Sequence, residues 1–273
     1  MTLDGHRSND DQPYVFVTEN YGQTWRSLRA NLPTSAGSTR VVREDIKNPN
    51  VLYLGCEFSV WVSIDRGASW TRMNSNLPTV AVHEFAQHAA RGELLAGTHG
   101  RSIWIMDNHV LRQLSTESLA APATLYEPNV VIRWRSIVSR GSAGTRAFAG
   151  ENPSTQARMF YSLGRRAQSA KLTVTTLFGD ELLDRDVETT PGLHVVEWDA
   201  RRSAAGRRGS VIPAGDYLVT LRVDGRIHMQ RLTVVEDPTL PPATQTEETQ
   251  MWEEALQREP EEETVSAGAS YQP

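Results

Sequence analysis

An internal repeat in the first half of the chain restricts its fold more than any other feature. Thr18-Glu-Asn-Tyr-Gly-Gln-Thr-Trp25 returns as Ser63-Ile-Asp-Arg-Gly-Ala-Ser-Trp70, 45 residues later, and the same displacement lays Asn31-Leu-Pro-Thr34 over Asn76-Leu-Pro-Thr79. A second pairing, displaced by 42, sets GCEFSVWVSID (from Gly55) over GTHGRSIWIMD (from Gly97). A period of 42 to 45 residues fits one four-stranded unit of a β-propeller. Short runs rich in Val, Leu, Ile, Trp and Tyr agree with that: Tyr14–Thr18, Arg40–Arg43, Val51–Gly55, Val60–Ile64, Leu94–Gly97 and Ile103–Met106 read as strands between Gly, Pro, Asn and Asp clusters. The copies read as the last two strands of one unit, a full second unit and at least three strands of a third. A third box should begin at Asp107, but Asn108-His-Val-Leu follows instead of Gly and Trp, so the array is read as ending there.

The box S/T-x-D/N-x-G-x-S/T-W resembles the Asp-box, or bacterial neuraminidase repeat, of sialidases and sortilin-type propellers, with Asn20 in the Asp place of the first copy and Asp65 in the second. A tight hairpin needs a short carboxylate or amide to bond nearby N–H groups, and Gly22 and Gly67 to take up φ > 0. Trp25 and Trp70 are then expected to bury their rings between neighbouring blades. In such families the box lies opposite the ligand face, which makes these six residues structural. GHRS, PYVFVTENYGQTWRSL, NPNVLYLGCEF and GTHGRSIWIMD together look like the closing blades of large bacterial sortilin-like propellers, the resemblance running over about residues 1–155 and including Gly150-Glu-Asn-Pro153. Fewer than three blades leave sheet edges open, so the chain reads as a C-terminal fragment, or a split product, whose remaining blades come from upstream sequence or a partner chain.

From about Ala157 the period disappears. Arg158–Leu163, Lys171–Phe178, Leu193–Trp198, Asp216–Val223 and Ile227–Val235 read as strands, and Asp224-Gly225 is a strong hairpin signal. GLHVVEWDAR, IPAGDYLVTLRVDG and RLTVVEDP resemble the Ig-like domain of the flagellar hook-capping type, which implies a spacer or attachment module without catalytic residues. RRSAAGRRGS, from Arg201 to Ser210, is longer and more basic than that family's short loop and reads as a solvated loop, or a contact for an acidic partner. The expected fold class is all-β: closing blades of an incomplete Asp-box propeller at 1–110, an exit segment and linker at 111–155, an Ig-like β-sandwich at 156–236 and a disordered acidic tail at 237–273. Within the linker, Glu117–Ala121 reads as a short helix and Val130–Trp134 as a closing strand; Glu247–Arg258 reads as a helical turn or two.

Composition narrows the function. Residues 237–273 hold nine acids and one arginine, so the formal charge of -5 leaves the other 236 residues only mildly positive, without the basic surface a nucleic acid requires. No run approaches the roughly 18 apolar residues of a spanning helix. The opening MTLDGHRSNDDQPYVF lacks the charged and apolar regions of a secretory signal; an extracellular or periplasmic location is implied only by the family resemblances. The single cysteine, Cys56, excludes a disulfide framework and a Cys-rich zinc module, and reads as a small core residue.

Chemistry-bearing patterns are few. His83 and His88 are five residues apart, not the four of a zinc-binding helix, and fall at a strand position where odd spacing sends them to opposite faces. The arginine triad, acid aspartate and Tyr–Glu pair of a sialidase are not assignable, and the Arg-Ile-Pro motif is absent. No catalytic residue, metal or cofactor is therefore expected. The propeller rule that second-to-third-strand turns share the ligand face singles out Glu57-Phe58-Ser59 and His99-Gly100-Arg101 as neighbours there. Glu57, Phe58, His99 and Arg101 are the candidate contacts for a glycan, peptide or organic acid; the alternative is that His99 and Arg101 satisfy backbone groups and ion pairs across blades. The function so read is a non-catalytic binding or scaffold protein for a protein or carbohydrate ligand, the alternative being the ring-completing part of a sialidase-like glycoside hydrolase whose catalytic residues lie upstream.

Overall fold

The computed structural model describes residues 1–89, 92–134, 154–204 and 207–239, and these form an all-β protein with one short helix. The first half builds three antiparallel sheets. Strands β1 (Thr2–Gly5), β2 (Asp10–Val17) and β3 (Arg26–Ser27) form the first; β4 (Thr39–Glu44), β5 (Leu52–Cys56), β6 (Val60–Ser63) and β7 (Thr71–Arg72) the second; β8 (Val82–His88), β9 (Glu93–Thr98) and β10 (Ile103–Asp107) the third. In each sheet the strands neighbour one another in chain order. The first sheet has three strands, not the two read from the sequence, because β1 (Thr-Leu-Asp-Gly) has no apolar alternation to announce it.

β5 and β6 are buried along their whole length. Their side chains alternate between two cores, as the pleat requires. Leu52, Leu54, Cys56 and Trp61 join Val15, Leu28 and Leu32 on the first-sheet side. Tyr53, Val60 and Val62 join Val82, Phe85 and Leu94 on the third-sheet side. Burial on both faces is why these strands read as unbroken apolar runs. Gly55 permits the close approach of β8, since a Cβ there would stand 2.6 Å from the Val82 carbonyl oxygen.

A buried polar network ties this stack to the segment after β10. The Asp45 carboxylate, in the β4–β5 loop, accepts from the backbone N–H of Lys47 (2.9 Å) and Asn48 (3.1 Å), the Tyr53 hydroxyl (3.0 Å), Asn108 Nδ2 (3.2 Å) and Arg112 Nε (2.8 Å). Asn48 Nδ2 in turn donates to the Arg112 carbonyl (2.8 Å). Asn108, which breaks the box pattern, is thus a fully buried member of this network.

The second half continues through α1 (Thr116–Ala120), β11 (Thr124–Leu125), β12 (Val131–Arg133), β13 (Ala157–Leu163), β14 (Ala170–Thr176), β15 (Glu181–Asp186), β16 (Gly192–Trp198), β17 (Arg201–Ala204), β18 (Arg207–Val211), β19 (Gly215–Val223) and β20 (Arg226–Glu236). A three-stranded sheet, β11-β13-β16, and a five-stranded sheet, β12-β20-β19-β14-β15, share one core in which Met159, Tyr161 and Leu163 meet Leu172, Val219, Leu221 and Leu232. Asp224 (φ 49°) and Gly225 (φ 83°) form the two-residue β19–β20 turn with the left-handed conformations of a type I′ hairpin.

Two local readings change. Val130–Trp134 does not close the first half: β12 pairs in parallel with β20, Val131 opposite Val234, because its apolar residue completes the second-half core. Where the sequence reads as a basic loop, Arg201–Ala204 and Arg207–Val211 pair as β17 and β18; backbone pairing holds them, and the composition carries no apolar alternation. The segment read as linker accordingly supplies α1, β11 and β12, and Val110, Leu114 and Tyr126 form a small core with Ile64 and Phe160 that joins the halves. Gly150–Pro153, the tail after Thr239 and its helical reading lie outside the described residues. Among the described residues no helix is long and apolar enough to cross a membrane.

Burial alone would raise the Asp45 carboxyl, but the bonds from Arg112, Lys47, Tyr53 and Asn48 outweigh it and hold it below its ordinary value of 3.8. A folded-state pKa below the unfolded one stabilises at pH above the ordinary value, and that stabilisation is lost as pH falls through the depressed one. Asp45→Asn, which strips the buried Arg112 of its counter-charge, is expected to cost about 3–5 kcal/mol at pH 7. In denaturant titrations the gap between wild type and variant should narrow below about pH 4; a gap independent of pH would show that the carboxylate charge is not what stabilises this joint.

Candidate functional site

The meander places the β5–β6 loop and the connection between β3 and β4 at one end of the second sheet, and the box turn with the β4–β5 loop at the other. At the first end Glu57 N–H donates to the Ser38 carbonyl (2.9 Å) and Phe58 N–H to that of Ala36 (3.3 Å), which docks the β5–β6 loop on the β3–β4 connection. Gly37 makes this possible. Its φ is +75°, and a Cβ there would lie 2.8 Å from both Glu57 Cβ and the Phe58 ring. The Phe58 ring lies close to this glycine and is 44% exposed.

The Glu57 carboxylate is bound by Arg40, whose Nε donates at 2.8 Å and whose Nη2 makes a second contact. The other arm of Arg40 reaches Asp4 on β1, which also accepts from His6 Nδ1 at 2.8 Å. A chain of hydrogen bonds and ion pairs, His6–Asp4–Arg40–Glu57, therefore crosses from the first sheet to the second. Partial burial works to raise the Asp4 carboxyl, but the His6 bonds and the Arg40 charge prevail and lower it. Sequence reading found Glu57 but not its partners; Asp4, His6 and Arg40 lie far apart in the chain and only strand pairing gathers them.

On the third sheet His99, in the β9–β10 loop, stacks on His83 of β8 with ring centroids 5.2 Å apart, and its N–H donates to the Ala81 carbonyl (2.9 Å). Arg101 is exposed; its N–H donates to Thr98 Oγ1 (3.2 Å) and its carbonyl accepts from Trp104 Nε1 (2.9 Å). Among the described residues no hydrogen bond or ion pair joins Glu57 to His99 or Arg101, and Arg101 makes no ion pair. The two loops thus present separate features, an ion-paired acid beside an exposed phenyl ring and a stacked imidazole pair beside a free guanidinium. This is a surface for hydrogen bonding and ring stacking. Its acids are already bound by cations, which suits recognition better than proton transfer.

The box residues occupy the opposite end as two superposable turns. Gly22 N–H donates to Thr18 Oγ1 (2.8 Å) and Thr24 N–H to Asn20 Oδ1 (2.9 Å); in the second copy Gly67 N–H donates to Ser63 Oγ (2.7 Å) and Ser69 N–H to Asp65 Oδ1 (2.9 Å). Gly22 and Gly67 have φ of 87° and 83°. The Asn-for-Asp exchange reverses one bond only: Asn20 Nδ2 donates to Thr24 Oγ1, whereas Ser69 Oγ donates to Asp65. The indoles differ. Trp70 is 3% exposed, donates to the Leu28 carbonyl (2.8 Å), and has its own backbone clamped by the Asn31 amide (2.7 and 2.9 Å). Trp25 is 46% exposed and donates to Gly22 of its own turn (3.1 Å), so the expectation that both rings are buried between sheets is corrected.

His83 and His88 lie on strand β8, and among the described residues no group of three or more His, Cys, Asp and Glu is gathered as a metal site. Cys56 is fully buried in the first–second sheet core, where burial pushes its thiol up to about 12 and keeps it protonated.

No family model matches the chain, and no curated protein matches it. Among solved structures, the extracellular domain of a hybrid two component system from B. thetaiotaomicron is similar at 12% identity and a TM-score of 0.28, over 84% of this chain and 29% of that one. The chain spans less than a third of that neighbour, and a likeness this distant carries no argument about fold or function.

The two indoles give a direct check. Trp70→Ala should cost about 3–5 kcal/mol, as for other buried aromatics, whereas Trp25→Ala should stay within about 0.5 kcal/mol. Equal losses in thermal unfolding would mean that Trp25 is buried in solution.

Proposed function

We propose that the three N-terminal sheets belong to an Asp-box β-propeller of the sortilin-like kind, and that the protein is a non-catalytic binding or scaffold protein acting outside the cell or in the periplasm. Its ligand, a protein or carbohydrate, binds the end that carries Glu57, Phe58, His99 and Arg101. The observation that supports this most is the repetition of the box turn's hydroxyl and carboxylate-or-amide bonds to backbone N–H groups, placed both times between the last two strands of an up-and-down sheet. A scaffold role accords with where the acids are spent: Glu57 and Asp4 on Arg40, Asp65 on its own turn, Asp45 on Arg112. The two-sheet C-terminal unit is read as the Ig-like spacer or attachment module.

The outer faces of the stack fit the same reading. Trp25 stands exposed on the first sheet and Ile103 and Ile105, at 68% and 58%, on the third. The second sheet is packed on each face against a neighbouring sheet, and we assign a further sheet of the same repeat as the occupant of both outer faces.

Glycan and peptide arrays probed with the chain, followed by calorimetry on the best ligand, test the proposal. Glu57→Gln, His99→Ala and Arg101→Gln combined should weaken binding by about tenfold or more with thermal unfolding preserved. Unchanged affinity would remove this end from consideration, and turnover of aryl glycosides or sialosides would favour a hydrolase over a scaffold.

A further inference from the structure

On the second half of the chain, the loop between β13 and β14, the β19–β20 hairpin and the segment after α1 surround an open cavity of about 160 Å³. Arg165, Arg166 and Arg226 line it together with His228. Elsewhere arginines such as Arg40, Arg112 and Arg158 meet a carboxylate within hydrogen-bonding or ion-pair distance. Among the described residues, none of these three arginines has a side-chain hydrogen bond or ion pair. The acid in the lining, Asp224, is already engaged: its Oδ1 accepts from the backbone N–H of Gln168 (2.8 Å) and Ser169 (3.0 Å). Those same bonds pin the hairpin to the β13–β14 loop. Gly164 N–H donates to the Ala121 carbonyl (2.9 Å) and fixes the other end of that loop. Three cations are thus carried on a braced backbone around a concavity, against the single negative charge of Asp224, whose Oδ1 is held by the frame.

We propose that this cavity is an oxyanion site, taking a tetrahedral dianion, phosphate or sulfate, either as the free ion or as the end group of a larger molecule. Its volume is below the roughly 300–1,000 Å³ of a site that encloses a drug-sized ligand, and it suits a single charged group. Guanidinium forks match the oxygen geometry of such groups and remain charged at every working pH. The site is independent of the ligand end assigned to the propeller, and neither reading depends on the other.

The test is calorimetric titration of the whole chain at fixed ionic strength with inorganic phosphate, inorganic sulfate, acetate and a hexose monophosphate. The expected result is saturable one-site binding of the dianions, at least tenfold tighter than acetate. Arg166→Gln and Arg226→Gln should each lower affinity about tenfold, with melting temperature unchanged because both side chains are exposed. Arg29→Gln, on the first half, should leave binding as it was. Tighter binding of the hexose monophosphate than of phosphate would identify an end group, and equal binding a free ion. Absence of saturation, or equal affinity in wild type and the Arg166→Gln/Arg226→Gln double variant, would overturn the proposal.

Discussion

The second sheet carries apolar side chains on both faces, Leu52, Leu54 and Trp61 towards one neighbour and Tyr53, Val60 and Val62 towards the other, so it needs a sheet on each side. That requirement organises the first half. It explains the stacking of three sheets, the glycine at 55 where β8 comes closest, and the Asn31 clamp that fastens one sheet to the next. The Asp45 network then anchors the stack to the chain leaving it. A carboxylate out of water is tolerated there because a buried arginine, a tyrosine, an asparagine and two backbone N–H groups all donate to it.

The repeated box separates local from non-local determinants within one motif. The turn is self-sufficient: its hydroxyl, carboxylate or amide, and glycine satisfy one another within eight residues, and both copies adopt it. Burial of the tryptophan is not self-sufficient. It depends on a leucine carbonyl and an asparagine amide some 40 residues earlier, which hold Trp70, whereas Trp25 donates within its own turn. Matching motifs therefore end in opposite environments.

The candidate ligand end was legible only in outline. Topology placed Glu57 and His99 in loops of adjacent sheets, because loops of an up-and-down sheet alternate between its ends. It did not reveal that Arg40 draws Glu57 towards Asp4, or that His99 stacks on His83. The oxyanion cavity was invisible for a related reason: Arg165 and Arg226 are 61 positions apart, and only the β13–β14 loop bound to the β19–β20 hairpin brings them together.

Sequence alone determined the period, the box turns, the Asp224-Gly225 hairpin and most long strands, though not the full span of β8 or β15, since each depends on neighbours in the chain: pleat alternation, φ > 0 at glycine, side chains reaching backbone a few residues away. Tertiary structure decided which strands were hidden in polar sequence, as with β1 and the β17–β18 pair, and where β12 would pair. It also decided the fate of each charge and indole. Whether an arginine is answered, an aspartate buried or a tryptophan covered depends on groups dozens of residues away, and local sequence carries no signal of their distance.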